Sequence, residues 1–319
     1  MKAFIDDRFK DAIYDLNRTV CKSQTNKPVS HRVDLFMRSL LRYVLPLLIA
    51  PPIAFLILYP QVVRCARIGQ SDDFRMLTGT GTGGVVYVNR SATARQQARF
   101  RGQVLTARDR IRRFWGDRRG QAVLIYCPQQ ADYEQYCVGG GPTFGEGAGC
   151  SIGTSWGASY LILGPDGNDA DVIAHELCHD EIFSRLGWWR VKQEIPQWFN
   201  EGLALMVDYR FSNPDAWEQS GDSTQTSASV FGDEDDDMMP FTRRPMLKLA
   251  DLETTRDFFG GDYGHVMLAY QTAADEVSRW LARAGRAGVP ALTDAVADGD
   301  DFGDAYRRLE RAKRRVRGK

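Results

Sequence analysis

The chain carries no excess charge of either sign: 41 lysines and arginines stand against 41 aspartates and glutamates over 319 residues. Its bulk composition therefore offers nothing to a nucleic acid or other highly charged partner, and any specificity must be local. A cleavable secretory signal is not expected in the first apolar run. Residues 1–42 precede the first apolar run and Arg64 follows it closely, whereas a signal peptide has a short charged start and a small-residue cleavage site. No internal repeat is present, which removes a repeat architecture. The length suits roughly two domains, or one large domain with an appendage.

What the sequence does contain begins with an uncharged stretch at 43–63. At about 1.5 Å of rise per residue it is long enough to cross a hydrocarbon core of about 30 Å. Pro46, Pro51, Pro52 and Pro60 imply a kinked span, and a hairpin turning at Pro51 and Pro52 is the alternative. Lys22, Lys27, Arg32, Arg38 and Arg42 precede the run, against Arg64, Arg67 and Arg75 after it. That bias favours a cytoplasmic amino terminus and an extracytoplasmic remainder, hence a single-pass membrane protein. Cys127, Cys137 and Cys150 cluster where an exported protein can use a disulfide. With Cys65 and Cys178 the exported count is odd, so a thiol stays free and spacing does not fix the pairing.

The resulting organisation is a tail at 1–42, an anchor at 43–63, a linker at 64–83 ending in the Gly-rich run 79–84, and a folded domain at 84–319. β-Branched and aromatic content predicts strands at 84–88, 122–127 and 158–163, and a helix over 92–116. The Gly-rich segment 139–157 reads as a long loop. Asn168 or Asp169 caps a helix running to Arg185, with Val172, Ile173, Leu177 and Ile182 at helical spacing. Pro196 suits the first turn of the next helix, and the chain is mainly helical from about Gly264. The acidic run 233–237 lacks the glycine and spacing of a calcium loop and reads as solvated. The basic end at 307–319 reads as a charged helix tail.

Chemistry concentrates in His175-Glu176-Leu177-Cys178-His179. Imidazoles at i and i+4 share one helix face and can reach one metal ion, while Glu176 stands beside the first ligand, placed to take a proton from water. A surface helix with two histidines produces the same five residues, so a third ligand is the deciding feature. Ile195-Pro-Gln-Trp-Phe-Asn-Glu201-Gly-Leu-Ala supplies one in Glu201, provided the chain turns through Gly187, Trp188 and Trp189 and returns along the first helix. Gly202 then allows close packing beside it. Cys178 points away from both histidines and reads as packing.

With both segments, residues 84–312 resemble the gluzincin metallopeptidases, the group of thermolysin and the aminopeptidases that carries Asn-Glu-Gly after the paired histidines. The resemblance is specific at 175–179 and 198–204. It implies an α+β, thermolysin-like zincin domain, with a mixed sheet over the paired-histidine helix and a helical C-terminal half. It further implies one zinc ion on His175, His179 and Glu201, Glu176 as general base, and a peptide or protein substrate. Tyr270 looks similar to the tyrosine that stabilises the tetrahedral intermediate in small membrane-linked relatives, with Tyr263 and His265 as competing candidates. Strand 158–163 is expected at the sheet edge, where an extended substrate adds as another strand. Aminopeptidases bring a glutamate to that stretch. No carboxylate lies between Ser151 and Pro165, a departure that favours internal cleavage. The expected activity is thus that of a membrane-anchored zinc endopeptidase. The alternatives are a non-catalytic protein of the same fold and a hydrolase of amides in cell-wall peptide.

Overall fold

A computed structural model describes residues 58–137, 148–212 and 246–317. The chain divides into two units, residues 1–59 and 60–319, and the second holds the elements that follow. It is a mixed α+β fold with a five-stranded sheet and a largely helical remainder. Strand β1 (Phe74–Met76) pairs antiparallel with β2 (Val86–Asn89), and β2 runs parallel to β3 (Val123–Tyr126). Strand β4 (Gly149–Gly153) lies antiparallel to β5 (Ser159–Leu163), which is parallel to β3. The strand order is β1-β2-β3-β5-β4.

Alternation along the strands sends side chains to two separate cores. Val86, Val88, Leu124, Tyr126, Leu161 and Leu163 face a large helical core. Ile125, Tyr160 and Ile162 face the opposite way, onto Val62, Cys65, Ile68, Phe74 and Tyr133. Strand β5 is therefore buried along its whole length, as a strand covered on both faces must be.

Helix α1 (Pro60–Ala66) and α3 (Gln130–Tyr136) line the smaller core. Helix α2 (Ala94–Trp115) starts at a capping box in which Thr93 and Gln96 satisfy each other's backbone N–H groups. Its Phe100, Val104, Ala107, Ile111 and Phe114 recur at helical spacing and cover the sheet. Helix α4 (Ala170–Gln193) is capped by Asp169, which accepts from the Asp171 N–H, and kinks at Gly187, where φ is 77°. Helix α5 (Gln197–Val207) follows. Helix α6 (Thr255–Phe259), α7 (Tyr263–Ala284), α8 (Gly288–Ala297) and α9 (Phe302–Arg317) complete the helical half.

Gly202 sets the spacing of α5 on α7. A Cβ there would lie 2.5 Å from the Ala273 carbonyl oxygen and 2.7 Å from Val277 Cγ2, so only glycine permits this approach. The close neighbour of Gly202 is thus α7, not the paired-histidine helix. Behind α5, Phe199 is enclosed by Trp280 and Phe302, and the Trp280 indole N–H donates to the Tyr306 carbonyl at 3.1 Å. Burial of a side chain such as Phe199 contributes about 1.5–3 kcal/mol, enough to hold α5 against its neighbours.

Several sequence expectations need correction. Segment 139–157 is not all loop: residues 149–153 form β4, and the residues from 138 to 147 lie outside the described ones. The strand at 158–163 is interior, and the edge beside it is β4. Glycine at both ends of β4 hides it from propensity, yet neighbouring side chains fill the space there. A Cβ on Gly153 would sit 2.7 Å from the Phe183 ring. Residues 64–83 are no free linker, because β1 joins the sheet and Cys65 and Ile68 are buried beneath it. Residues 60–63 of the expected anchor open α1, with Val62 packed in the same core. Apart from Leu58 and Tyr59, the rest of 43–63 lies outside the described residues, as do the tail 1–42 and the acidic run 233–237. Among the described residues no helix is long and apolar enough to cross a membrane. The paired-histidine helix, by contrast, ends where expected, breaking at Gly187 two residues past Arg185; a further helical segment runs on to Gln193, and Pro196 stands just outside α5 as its N-cap.

Candidate metal centre

Helix α4 presents His175 and His179 on one face, and α5 brings Glu201 to meet them. The Nε2 atoms of His175 and His179 lie 3.5 and 3.7 Å from the same oxygen, Glu201 Oε2. One donor atom from each residue falls within 4.8 Å of the others. Metal–ligand bonds of about 2.0–2.2 Å at tetrahedral angles put neighbouring donors roughly 3.4 Å apart, so this donor set fits a zinc-sized cation with little movement. Its make-up, two imidazoles and one carboxylate, suits the same ion.

The far side of each imidazole faces a polar side chain, though only His179 is within hydrogen-bond geometry. His179 Nδ1 is 3.0 Å from Asn200 Oδ1; a proton on Nδ1 donates to that carbonyl and leaves Nε2 as the free lone pair. His175 Nδ1 faces Asp208 Oδ2 at 3.5 Å. Arg210 grips the Asp208 carboxylate with two bonds, Nε to Oδ1 at 2.9 Å and Nη2 to Oδ2 at 2.6 Å. Gln197 Nε2 donates to the other oxygen of Glu201, Oε1, at 2.7 Å.

Electrostatics favour positive charge at the centre. Burial alone would lift the Asp208 carboxyl, but hydrogen bonds from Arg210 and the charge of His175 override it and hold the group at about 2. Burial opposes an imidazolium at His175, yet Asp208 and Glu201 outweigh it and carry that ring up to about 10. Burial opposes ionisation of Glu201 too, and the charges of His179 and His175 bring its carboxyl below the ordinary range. Buried carboxylates at 201 and 208, with Arg210 the nearby guanidinium, thus favour a cation between the rings.

Glu176 is buried beside this centre, and burial raises its carboxyl above the usual carboxylate range despite the opposing pull of His179 and His175. Gly149 at the start of β4 lies directly over it: a Cβ there would be 3.3 Å from Glu176 Oε1. The edge strand and the candidate base are therefore neighbours.

The three candidates for oxyanion donor separate. Burial lifts the Tyr270 hydroxyl well above its ordinary value, and the carboxylates of Glu201, Glu176 and Asp208 lift it further, so this phenol senses the centre. Its ring packs edge-on to Phe258 at 5.2 Å. Tyr263 is 78 % exposed at the start of α7. His265 is half-buried, and its Nε2 lies 2.9 Å from the Asp257 carbonyl oxygen.

Sequence reading overlooked Asn200, Asp208, Arg210 and Gln197. Asn200 stood inside a motif already quoted, and Gln197 lies one helical turn before Glu201 on the same face. Asp208 ends the apolar run of α5 and is fully buried. A carboxylate closing an apolar run was the available signal. Cys178 is buried and free, away from the ligand set, in keeping with a packing role. The disulfide joins Cys137 to Cys150, with Cys65 and Cys127 free and buried. No family model matches the chain, and no curated protein does.

Proposed function

We propose that this chain is a zinc metallopeptidase of the gluzincin type, with a thermolysin-like catalytic fold. The observation that carries this reading is the convergence of two imidazole Nε2 atoms on one carboxylate oxygen at 3.5 and 3.7 Å. His175, His179 and Glu201 would hold the zinc ion, which when bound would supply Lewis acidity toward a carbonyl and a water molecule. Glu176 then accepts the proton of the attacking water and returns it to the leaving amine. A carboxyl lifted by burial suits both transfers, because its proton affinity lies nearer to neutrality. The Tyr270 hydroxyl donates to the oxygen on which negative charge develops.

Edge strand β4, running beside Glu176, suits a substrate that is itself an extended peptide pairing through its main chain. With no carboxylate between Ser151 and Pro165 to hold a free amino terminus, internal peptide bonds are the natural target. We place the enzyme in a membrane through the apolar residues ahead of α1, 43–59 of the expected anchor, with its catalytic part outside the cytoplasm. The flanking basic residues support this orientation, and the Cys137–Cys150 disulfide suits an oxidising compartment.

The test is Glu176→Gln. This variant should bind zinc as the wild type does and lose turnover of a mixed peptide library by about two or more orders of magnitude. Undiminished cleavage by the variant would contradict the mechanism.

A further inference from the structure

We propose that Gln197 is a positioning residue that restricts Glu201 to a single metal-facing oxygen. The inference rests on the zinc reading above and adds a role for a residue outside the ligand set.

A carboxylate next to a metal ion has two ways to bind. Through one oxygen, beside two imidazoles, it leaves the fourth position to water; through both it adds a fifth donor beside that water. The two oxygens of Glu201 have different surroundings. Oε2 lies 3.5 and 3.7 Å from the Nε2 atoms of His175 and His179, while Oε1 accepts a hydrogen bond of 2.7 Å from Gln197 Nε2. The amide of Gln197 is not free to turn. Its Oε1 accepts from the Thr255 hydroxyl at 3.0 Å, so its nitrogen has to face Glu201.

Thr255 and Gln197 are in turn held in register by main chain. The N–H groups of Gln197 and Trp198, which a helix start leaves unpaired, donate to the carbonyls of Glu253 and Leu252 at 2.9 and 3.1 Å. Thr255 opens α6 two residues later, behind its own cap at Thr254. The chain from Thr255 through Gln197 to Glu201 Oε1 thus fixes the carboxylate's rotation from a segment that contributes no ligand.

The test uses the full chain loaded with cobalt(II), whose visible absorption is strong in four-coordinate sites and weaker in five-coordinate ones, together with zinc affinity by chelator competition. Gln197→Ala should weaken the visible bands as Glu201 Oε1 joins the metal. Its zinc Kd should rise by about tenfold or more. Thr255→Val, a milder change that spares the fold, should shift the spectrum the same way by less, and the double variant should not exceed Gln197→Ala, because both act through one chain. A Gln197→Ala spectrum identical to wild type overturns the proposal, whatever happens to the melting temperature. Wild-type protein that takes up neither zinc nor cobalt overturns the metal centre itself, a different outcome.

Discussion

Gly149 and Glu176 meet where the edge strand crosses the paired-histidine helix, with room for a hydrogen but not for an unhindered methyl group: a Cβ would lie 3.2 Å from Glu176 Cγ and 3.3 Å from its Oε1. Gly149→Ala should therefore push the base aside while sparing the ligands. Turnover is expected to fall by about tenfold or more, since small misplacements of a reacting group are costly, and zinc content should stay at the wild-type level. Steady-state kinetics beside elemental analysis decides it. Full activity in Gly149→Ala would mean that this contact does not place the base.

Asp208 faces the candidate metal centre through His175, so on the zinc reading its loss should appear in affinity before it appears in fold. Asp208→Asn is expected to raise the zinc Kd by about 10–100-fold. Arg210→Gln should act in the same direction through the lost grip on Asp208. Competition with a chromogenic chelator measures both. If neither variant changes the Kd, the contact between His175 and Asp208 carries no functional weight.

A pH effect follows from Asp180, which is buried next to His179. Burial raises its carboxyl from 3.8 to about 6, against partial relief from the Ala122 N–H, Ser159 and Arg118. Between about pH 4 and pH 6 the unfolded chain has released this proton and the folded chain still holds it. Stability from this group is therefore complete at about pH 4 and falls as pH rises to about 6, by up to about 3 kcal/mol. Asp180→Asn should lack that decline. Urea unfolding of zinc-free protein at several pH values gives the comparison, and equal slopes in the two proteins would refute the assignment.

The pairing of His175 with His179 was legible because α-helical periodicity is rigid: residues four apart in one helix must share a face, whatever the rest of the chain does. Glu201 needed more, and what made it readable was its setting between Trp198 and Leu203, both of which became core. The polar partners were not legible, since Asp208 acts on His175 across 33 residues of sequence and only tertiary packing joins them. Strand β4 was missed for a related reason. Its glycines are required by side chains of another element, and local propensity reads them as loop. The placing of β5 at the edge failed with it, because an unseen strand shifts every neighbour in the sheet.

The most direct measurement is metal stoichiometry by elemental analysis of the purified full chain, beside His175→Ala and Glu201→Ala, each checked for folding by circular dichroism. One zinc per chain in the native protein and almost none in either folded variant is the expected result. Folded native protein without zinc, or variants that retain it in full, would contradict the centre assigned to His175, His179 and Glu201.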